Sequence, residues 1–205
     1  MGQSLFSHGL HDVGNGCWAF LQPDGGWGWS NAGLIEDSGE TLLIDTLFDL
    51  PLTEAMLAKM RDAVPAAKQI GTLVNTHANG DHTYGNQIVK AANIVASEAT
   101  RREMERRPPE AFIKITENWQ NYGEFGRLIN ELMGRKFDFR GIKNTLPTST
   151  FNTSMSLRIG NKTVELLNVG PAHTSGDTLV WIAGDRIVYT GDIIFSGGHP
   201  IIWSG

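Results

Sequence analysis

The sequence predicts an α/β fold in one domain of 205 residues. Three observations predict it. Short apolar runs of strand length, such as TLLI at 41–44 and GTLV at 71–74, flank a segment of helical period. Strand, helix and strand then follow one another between residues 70 and 97, the order of a βαβ unit. Strand patterns return after Pro147, beyond a long polar stretch. The length suits one domain, or one α/β unit with an insertion.

The first third reads as the strands CWAFLQ, SNAGLIED and TLLIDT, with PDGG and DSG as the turns between them. His8 and His11 precede them in a stretch that reads as flexible. Residues 50–64 change period, placing Leu52, Met56, Met60 and Ala63 on one helical face, with Pro51 tolerated in the first turn. IGTLVNT is a buried strand that runs directly into NTHANGDHTYGN at 75–86. A short helix, the strand NIVA and a helix capped by Ser97 follow. The histidine-rich turn therefore lies at the carboxyl end of a strand, where open α/β sheets bind ligands.

Residues 99–147 are polar, helical in preference and broken by Pro108-Pro109, so they read as a helical insertion. Arg101, Arg102, Arg106 and Arg107 form a solvated helix face. Phe112, Ile115, Trp119, Leu128 and Leu132 would pack the segment onto the body; the functional alternative is a lid whose aromatics touch a substrate. The later strands are MSLRIG, TVELLNV, DTLVWIA and RIVYTGD. His-x-x-Gly-Asp occurs at His77 and again at His173, which suggests two related βα halves facing a shared site.

The formal net charge of -5 and the absence of a basic tail argue against nucleic acid as a partner. Cys17 is the only cysteine, which excludes an intramolecular disulfide and a thiolate metal cluster, and it reads as a small core residue. The longest apolar runs are strand-sized, so no membrane span is expected. The N-terminus lacks the pattern of a signal peptide, and Phe6 stands where a myristoylation site needs Ser or Thr. A cytoplasmic location is the expectation. Trp27 and Trp29, in GGWGWSNAG, line a substrate mouth on a mobile hairpin or pack at an edge; the residues leave both open.

The chemistry concentrates in His77, Asn79, Asp81 and His82. A lone histidine is usually an ordinary surface or core residue. Two histidines and an aspartate within six residues, joined by His173 and Asp192 at other strand ends, point to metal. Zinc takes imidazole nitrogen and carboxylate oxygen at about 2.0–2.2 Å and needs several ligands held rigidly. Gly80 and Gly191 would let backbone pass close to the ion.

Taken in order, LLIDT, HANGDH, GPAHTSGD and YTGDIIF resemble the motifs of the metallo-β-lactamase superfamily. The resemblance covers about residues 15–98 and 150–195 and implies an αββα sandwich with two metals between its halves. By position, His77 and His173 resemble ligands of the first metal, Asp81 and His82 ligands of the second, and Asp192 the bridge. Asp45 resembles the acidic residue that supports the metal turn from behind. Two departures stand out. Asn79 replaces the second histidine of His-x-His-x-Asp-His, and amide oxygen is a poor ligand for zinc. The final histidine is absent too, because after Asp192 the chain runs only IIFSGGHPIIWSG. His199 resembles a loop residue over the site more than that missing ligand. The fold is therefore expected to be C-terminally incomplete. Ile201, Ile202 and Trp203 would expose apolar area unless a longer natural chain or a second copy covers them.

The resemblance implies a metal-dependent hydrolase. One or two zinc ions, with iron or manganese as alternatives, would supply a bound hydroxide that attacks an ester, thioester, lactone or amide carbonyl of a small molecule. Asp81 is the candidate catalytic residue, binding metal and orienting the nucleophile. A di-iron redox protein of the same fold and a non-catalytic metal-binding or interaction fold are the alternatives. No basic channel supports a nuclease.

Overall fold

The computed structural model describes residues 6–202. Four strands open the chain as an antiparallel meander: β1 (Gly9–Gly14), β2 (Cys17–Leu21), β3 (Ala32–Asp37) and β4 (Glu40–Ile44). Helix α1 (Leu50–Ala63) leads to β5 (Thr72–Val74), which lies parallel to β4. The short helices α2 (Gly80–Thr83) and α3 (Asn86–Val89) lead to β6 (Asn93–Ser97), parallel to β5. Helices α4 (Glu98–Arg106), α5 (Pro109–Glu117) and α6 (Gly123–Ile129) then precede β7 (Ser149–Phe151). These seven strands form one sheet in chain order. The second sheet is an antiparallel set of four: β8 (Ser154–Ile159), β9 (Lys162–Asn168), β10 (Thr178–Ile182) and β11 (Ile187–Tyr189).

Strands β3 and β4 read as continuous apolar runs because both faces are covered. Leu34, Leu43 and Leu73 point to α1 and pack with Met56, Leu57 and Met60. The alternate residues Ile35, Leu42, Ile44 and Val74 point the other way, onto Val164, Leu166, Val180 and Ile182 of the second sheet. Cys17 sits in this inter-sheet core as expected, its thiol pKa pushed up by burial. The result is a sandwich of two sheets with helices on the outer face of the larger.

Helix α1 starts where expected. Asp49 accepts a hydrogen bond from the Leu52 amide at 2.7 Å, and its other carboxylate oxygen accepts one from the Asp138 amide at 2.9 Å. Its buried stripe is Thr53, Met56, Leu57 and Met60, while Ala63 faces solvent, so the face is rotated from the one the sequence suggested. Ser97 caps α4 by accepting from the Thr100 amide. On α4, Arg101 pairs with Glu105 and Arg102 with Glu98, as on a solvated face, while Arg107, at the helix end, reaches the buried Glu103.

Phe112, Ile115 and Leu132 pack, with Phe137, Phe139 and Ile142, around Phe48 and Tyr84. Leu128 does not: it is 51% exposed. Two strands went unread in the sequence. The N-terminal stretch forms β1, where a ring nitrogen of His11 contacts the Ser7 carbonyl at 2.8 Å, and β7 is a three-residue strand paired in parallel with β6. The second His-x-x-Gly-Asp is not a βα turn either; it joins β9 to β10 as antiparallel neighbours. Ile201 and Ile202 are exposed, while Trp203 lies outside the described residues. Among the described residues no helix is long and apolar enough to cross a membrane.

The inner strands carry the stability. Leu43 is fully buried between β4's neighbours and α1, so Leu43→Ala should cost about 2–5 kcal/mol through lost transfer energy and the cavity left behind. Urea unfolding measures this as a lower midpoint at unchanged slope. A loss below about 0.5 kcal/mol, typical of surface positions, would mean that this face is not packed as described.

Candidate metal centre

The loop after β5 is closed by the two residues that bound it. Asn75 and Asn86 exchange side-chain hydrogen bonds at 2.8 and 3.1 Å, and the Asn75 amide also donates to the His82 carbonyl at 3.1 Å. The Thr46 amide donates to that same carbonyl at 3.0 Å. These bonds hold His77 and His82 on one tight turn at the end of the parallel strands. Gly80 serves packing here: a Cβ would sit 2.5 Å from Cζ of Tyr84, whose ring lies over it. Gly191, at φ 52°, passes beside Thr76, where a Cβ would lie 2.6 Å from Oγ1.

Asp45 supports this turn from beneath, as the resemblance implied. One of its oxygens accepts from the Thr76 amide at 2.7 Å. The other accepts from the Thr76 hydroxyl at 2.7 Å and lies 2.9 Å from His82 Nδ1. An ionised carboxylate only accepts hydrogen bonds, so His82 carries its proton on Nδ1. The single hydroxyl hydrogen of Thr76 is donated to Asp45 in a hydrogen bond, so the Thr76 oxygen accepts from His77 Nδ1, 3.0 Å away. Both imidazoles are thereby left with Nε2 turned to the cleft. Thr76 was not read as a site residue in the sequence, although its position directly before His77 was a signal for a residue behind the ligand.

Those two Nε2 atoms are buried and make no hydrogen bond among the described residues. Buried polar atoms are rarely left this way without a functional reason. Asp192 Oδ1 stands 3.2 Å from His82 Nε2, though not aligned as a hydrogen bond. His77, His82 and Asp192 each offer a ligand atom within 4.8 Å of the others. The chemistry of this donor set, two imidazoles and a carboxylate, fits a divalent cation.

The electrostatics agree. Burial and then the neighbouring His82 hold His77 well below the ordinary imidazole pKa. Burial also opposes charge on His82, but Asp192, Asp45 and Asp81 outweigh it and hold His82 well above that value. Asp192 is only half-buried; desolvation would raise its pKa, yet His82 keeps it far below the usual carboxylate range. The pocket thus stabilises positive charge at His82 Nε2, as a proton or as a metal cation.

The remaining residues surround this group. Asp81 Oδ2 is 3.9 Å from His82 Nε2, and burial raises the Asp81 pKa. His173 comes in from the turn between β9 and β10, with Nε2 3.7 Å from Asp192 Oδ2 and its ring 5.1 Å from that of His77. Asn79 Nδ2 lies 2.9 Å from His173 Nε2. All six residues named from the sequence therefore meet in one cleft between the sheets. The other three histidines stay outside it: His199 is exposed, His8 and His11 lie on or beside β1, and none belongs to the donor group. Asp177, the echo of Asp81, faces its own turn and accepts from the Thr174 amide at 2.8 Å. Trp29 packs against Phe137, with ring centroids 4.9 Å apart, whereas Trp27 is 43% exposed.

Comparison with known proteins agrees with this architecture. Residues 25–204 match the family model of the metallo-beta-lactamase superfamily. A hydroxyacylglutathione hydrolase of Methylococcus capsulatus is 24% identical over 168 residues, 82% of this chain and 48% of the relative. The alpha subunit of a 2,4-dinitroanisole O-demethylase from a Nocardioides species is 24% identical over 165 residues, 80% of this chain and 40% of its own length. The chain thus spans less than half of the curated relatives it matches. Among solved structures, a metallo-beta-lactamase from Pontibacter korlensis superposes with a TM-score of 0.59 at 19% identity, covering 87% of this chain and 68% of that one. TMB-1 superposes with a TM-score of 0.62 at 21% identity, covering 93% and 72%. With a family match over most of its length, the same sandwich in its structural neighbours and the ordered motifs gathered in one cleft, the chain belongs to the metallo-β-lactamase superfamily.

Proposed function

We propose that this protein is a metal-dependent hydrolase, with divalent ions held among His77, Asn79, Asp81, His82, His173 and Asp192. Zinc is the first candidate ion, with iron and manganese next. The observation that carries this reading is the pair of buried Nε2 atoms of His77 and His82, left without hydrogen bonds beside Asp192. A divalent ion bound there supplies Lewis acidity and brings the pKa of a coordinated water to about 7.

The chain's own residues do the rest. Asp45 and Thr76 hold both imidazoles in the tautomer that presents Nε2. Asp81 stands at the edge of the donor group, where its carboxylate accepts a hydrogen bond from the attacking water and orients it. The substrate class is an ester, thioester, lactone or amide of a small molecule. One relative is named a hydrolase and another an O-demethylase subunit, so family membership alone does not select the bond that is cleaved.

The test is a substrate panel run on protein whose metal content is measured. Zinc-loaded protein should hydrolyse at least one ester, thioester, lactone or β-lactam. Removing the metal by dialysis against a chelator should abolish turnover, and added zinc should restore it. Bound metal without hydrolysis of any of the four classes would favour the non-catalytic metal-binding fold.

The tautomer argument makes a second prediction. Asp45→Asn removes a carboxylate acceptor and brings an amide donor to face Thr76 and His82. Zinc affinity should fall about 10–100-fold, as it does when a partner behind a ligand is lost. Competition with a chromogenic chelator reads this directly, and unchanged affinity would show that Asp45 does not set the imidazole orientation.

A further inference from the structure

Resting on the hydrolase reading above, we infer that the cleft takes an ester, thioester or lactone whose acyl chain is apolar and uncharged. Residues 193–202 and the ring of Tyr84 would hold that chain. After Asp192 the sequence runs IIFSGGHPII, turns at Gly197 with φ 75° and comes back to the site. There the Ile201 carbonyl accepts from His173 Nδ1, and the ring of Phe195 lies 6.1 Å from that of His173. Ile194, Phe195, Ile201 and Ile202 are between 37% and 69% exposed, and they join none of the apolar clusters among the described residues. Exposed apolar surface gathered in one place marks a binding surface, and this one is bonded to a residue of the cleft. Tyr84 adds a second apolar border: its ring lies against Gly80 of the metal turn and stacks on Phe48 at 5.6 Å.

The charges around the cleft select against an anionic substrate. Those acting most strongly on His77, Asp81, His82 and Asp192 come from one another, from Asp45 and from His173, with no lysine or arginine among them. Asp81 and Glu110 act in the same way on the Tyr84 hydroxyl. Lys136 reaches the turn between β2 and β3, but stands there with Asp24 beside Gly26. A carboxylate or phosphate on the acyl chain would give up its water without meeting a cation, whereas an alkyl chain would cover apolar side chains. The step is hydrolysis: water adds to the carbonyl carbon and the bond to the leaving oxygen or sulfur breaks. One proton of the water goes to the leaving group, and the acid is released.

The experiment follows hydrolysis of p-nitrophenyl acetate, butyrate and hexanoate by the zinc-reconstituted chain, each rate divided by that of spontaneous hydrolysis. kcat/KM should rise about 2–4-fold for each added methylene, the upper figure corresponding to full burial. The p-nitrophenyl half-ester of adipic acid has the hexanoate chain with a carboxylate at its end, and it should be about tenfold slower than the hexanoate. Phe195→Ser, its fold checked by circular dichroism, should lower the ratio of hexanoate to acetate rates by about threefold or more. Saturation-transfer NMR with methyl hexyl ketone, an uncharged chain with no bond to hydrolyse, reads binding without turnover. The ketone should bind wild type with or without zinc, and Phe195→Ser more weakly. A flat ester series, or an adipate half-ester as fast as the hexanoate, would overturn the inference and leave the metal reading standing. An equally steep series in Phe195→Ser would overturn the role of residues 193–202. Absence of hydrolysis, or hydrolysis indifferent to a chelator, would count against the metal reading, and ketone binding then decides the inference. Binding weakened by Phe195→Ser would keep this surface as an apolar ligand site, and no binding to wild type would overturn it.

Discussion

Asp45 accepts two hydrogen bonds from Thr76 and one from His82, and through Thr76 it also sets the ring of His77. It sits at the end of β4 with φ 61°, a left-handed conformation uncommon for a residue with a side chain. Its amide donates to the Val74 carbonyl at 2.8 Å, so the ends of β4 and β5 meet at this residue. The parallel pairing of those strands is thus what delivers the carboxylate under the histidines. If the register slipped by one residue, Asp45 would turn to the other face of the sheet.

The second half of the cleft is tied to the first by hydrogen bonds as well as by packing. The Thr178 amide, at the start of β10, donates to the Thr76 carbonyl at 2.9 Å. The Gly176 carbonyl accepts from the hydroxyls of both Ser97 and Thr100 at the start of α4, and a Cβ on Gly176 would collide with these groups. Asp177 closes the turn that carries His173. The position of His173 therefore depends on α4, and α4 opens the helical segment. A buried network of this kind is rigid only when all of its members are satisfied. The two unsatisfied Nε2 atoms stand out against that background.

Much of this was legible in the sequence because the informative residues are chemically rare and close together. HANGDH brings two imidazoles and a carboxylate onto one turn whatever the rest of the chain does, and the strand before it places that turn at a sheet end. The grouping of donors was not legible, because the distance from Asp192 to His82 is set by how β11 and the second sheet register against the first. Nor was the bond between Asn79 and His173, which joins residues 94 positions apart. β1 escaped notice because GLHDVG is polar and lies at a sheet edge, and β7 because three residues carry no period. Trp29 had equal claim to a substrate mouth and to packing until Phe137, from the stretch between α6 and β7, came to lie against it.

A crystal structure of the zinc-loaded protein, with anomalous scattering measured at the zinc edge, tests the central claim most directly: that Asp45 and Thr76 present Nε2 of two histidines to bound metal. The account predicts zinc bonded to Nε2 of His77 and to Nε2 of His82, with Asp45 still hydrogen-bonded to His82 Nδ1. Zinc bound through Nδ1 of either histidine, or bound only outside this cluster, would contradict it.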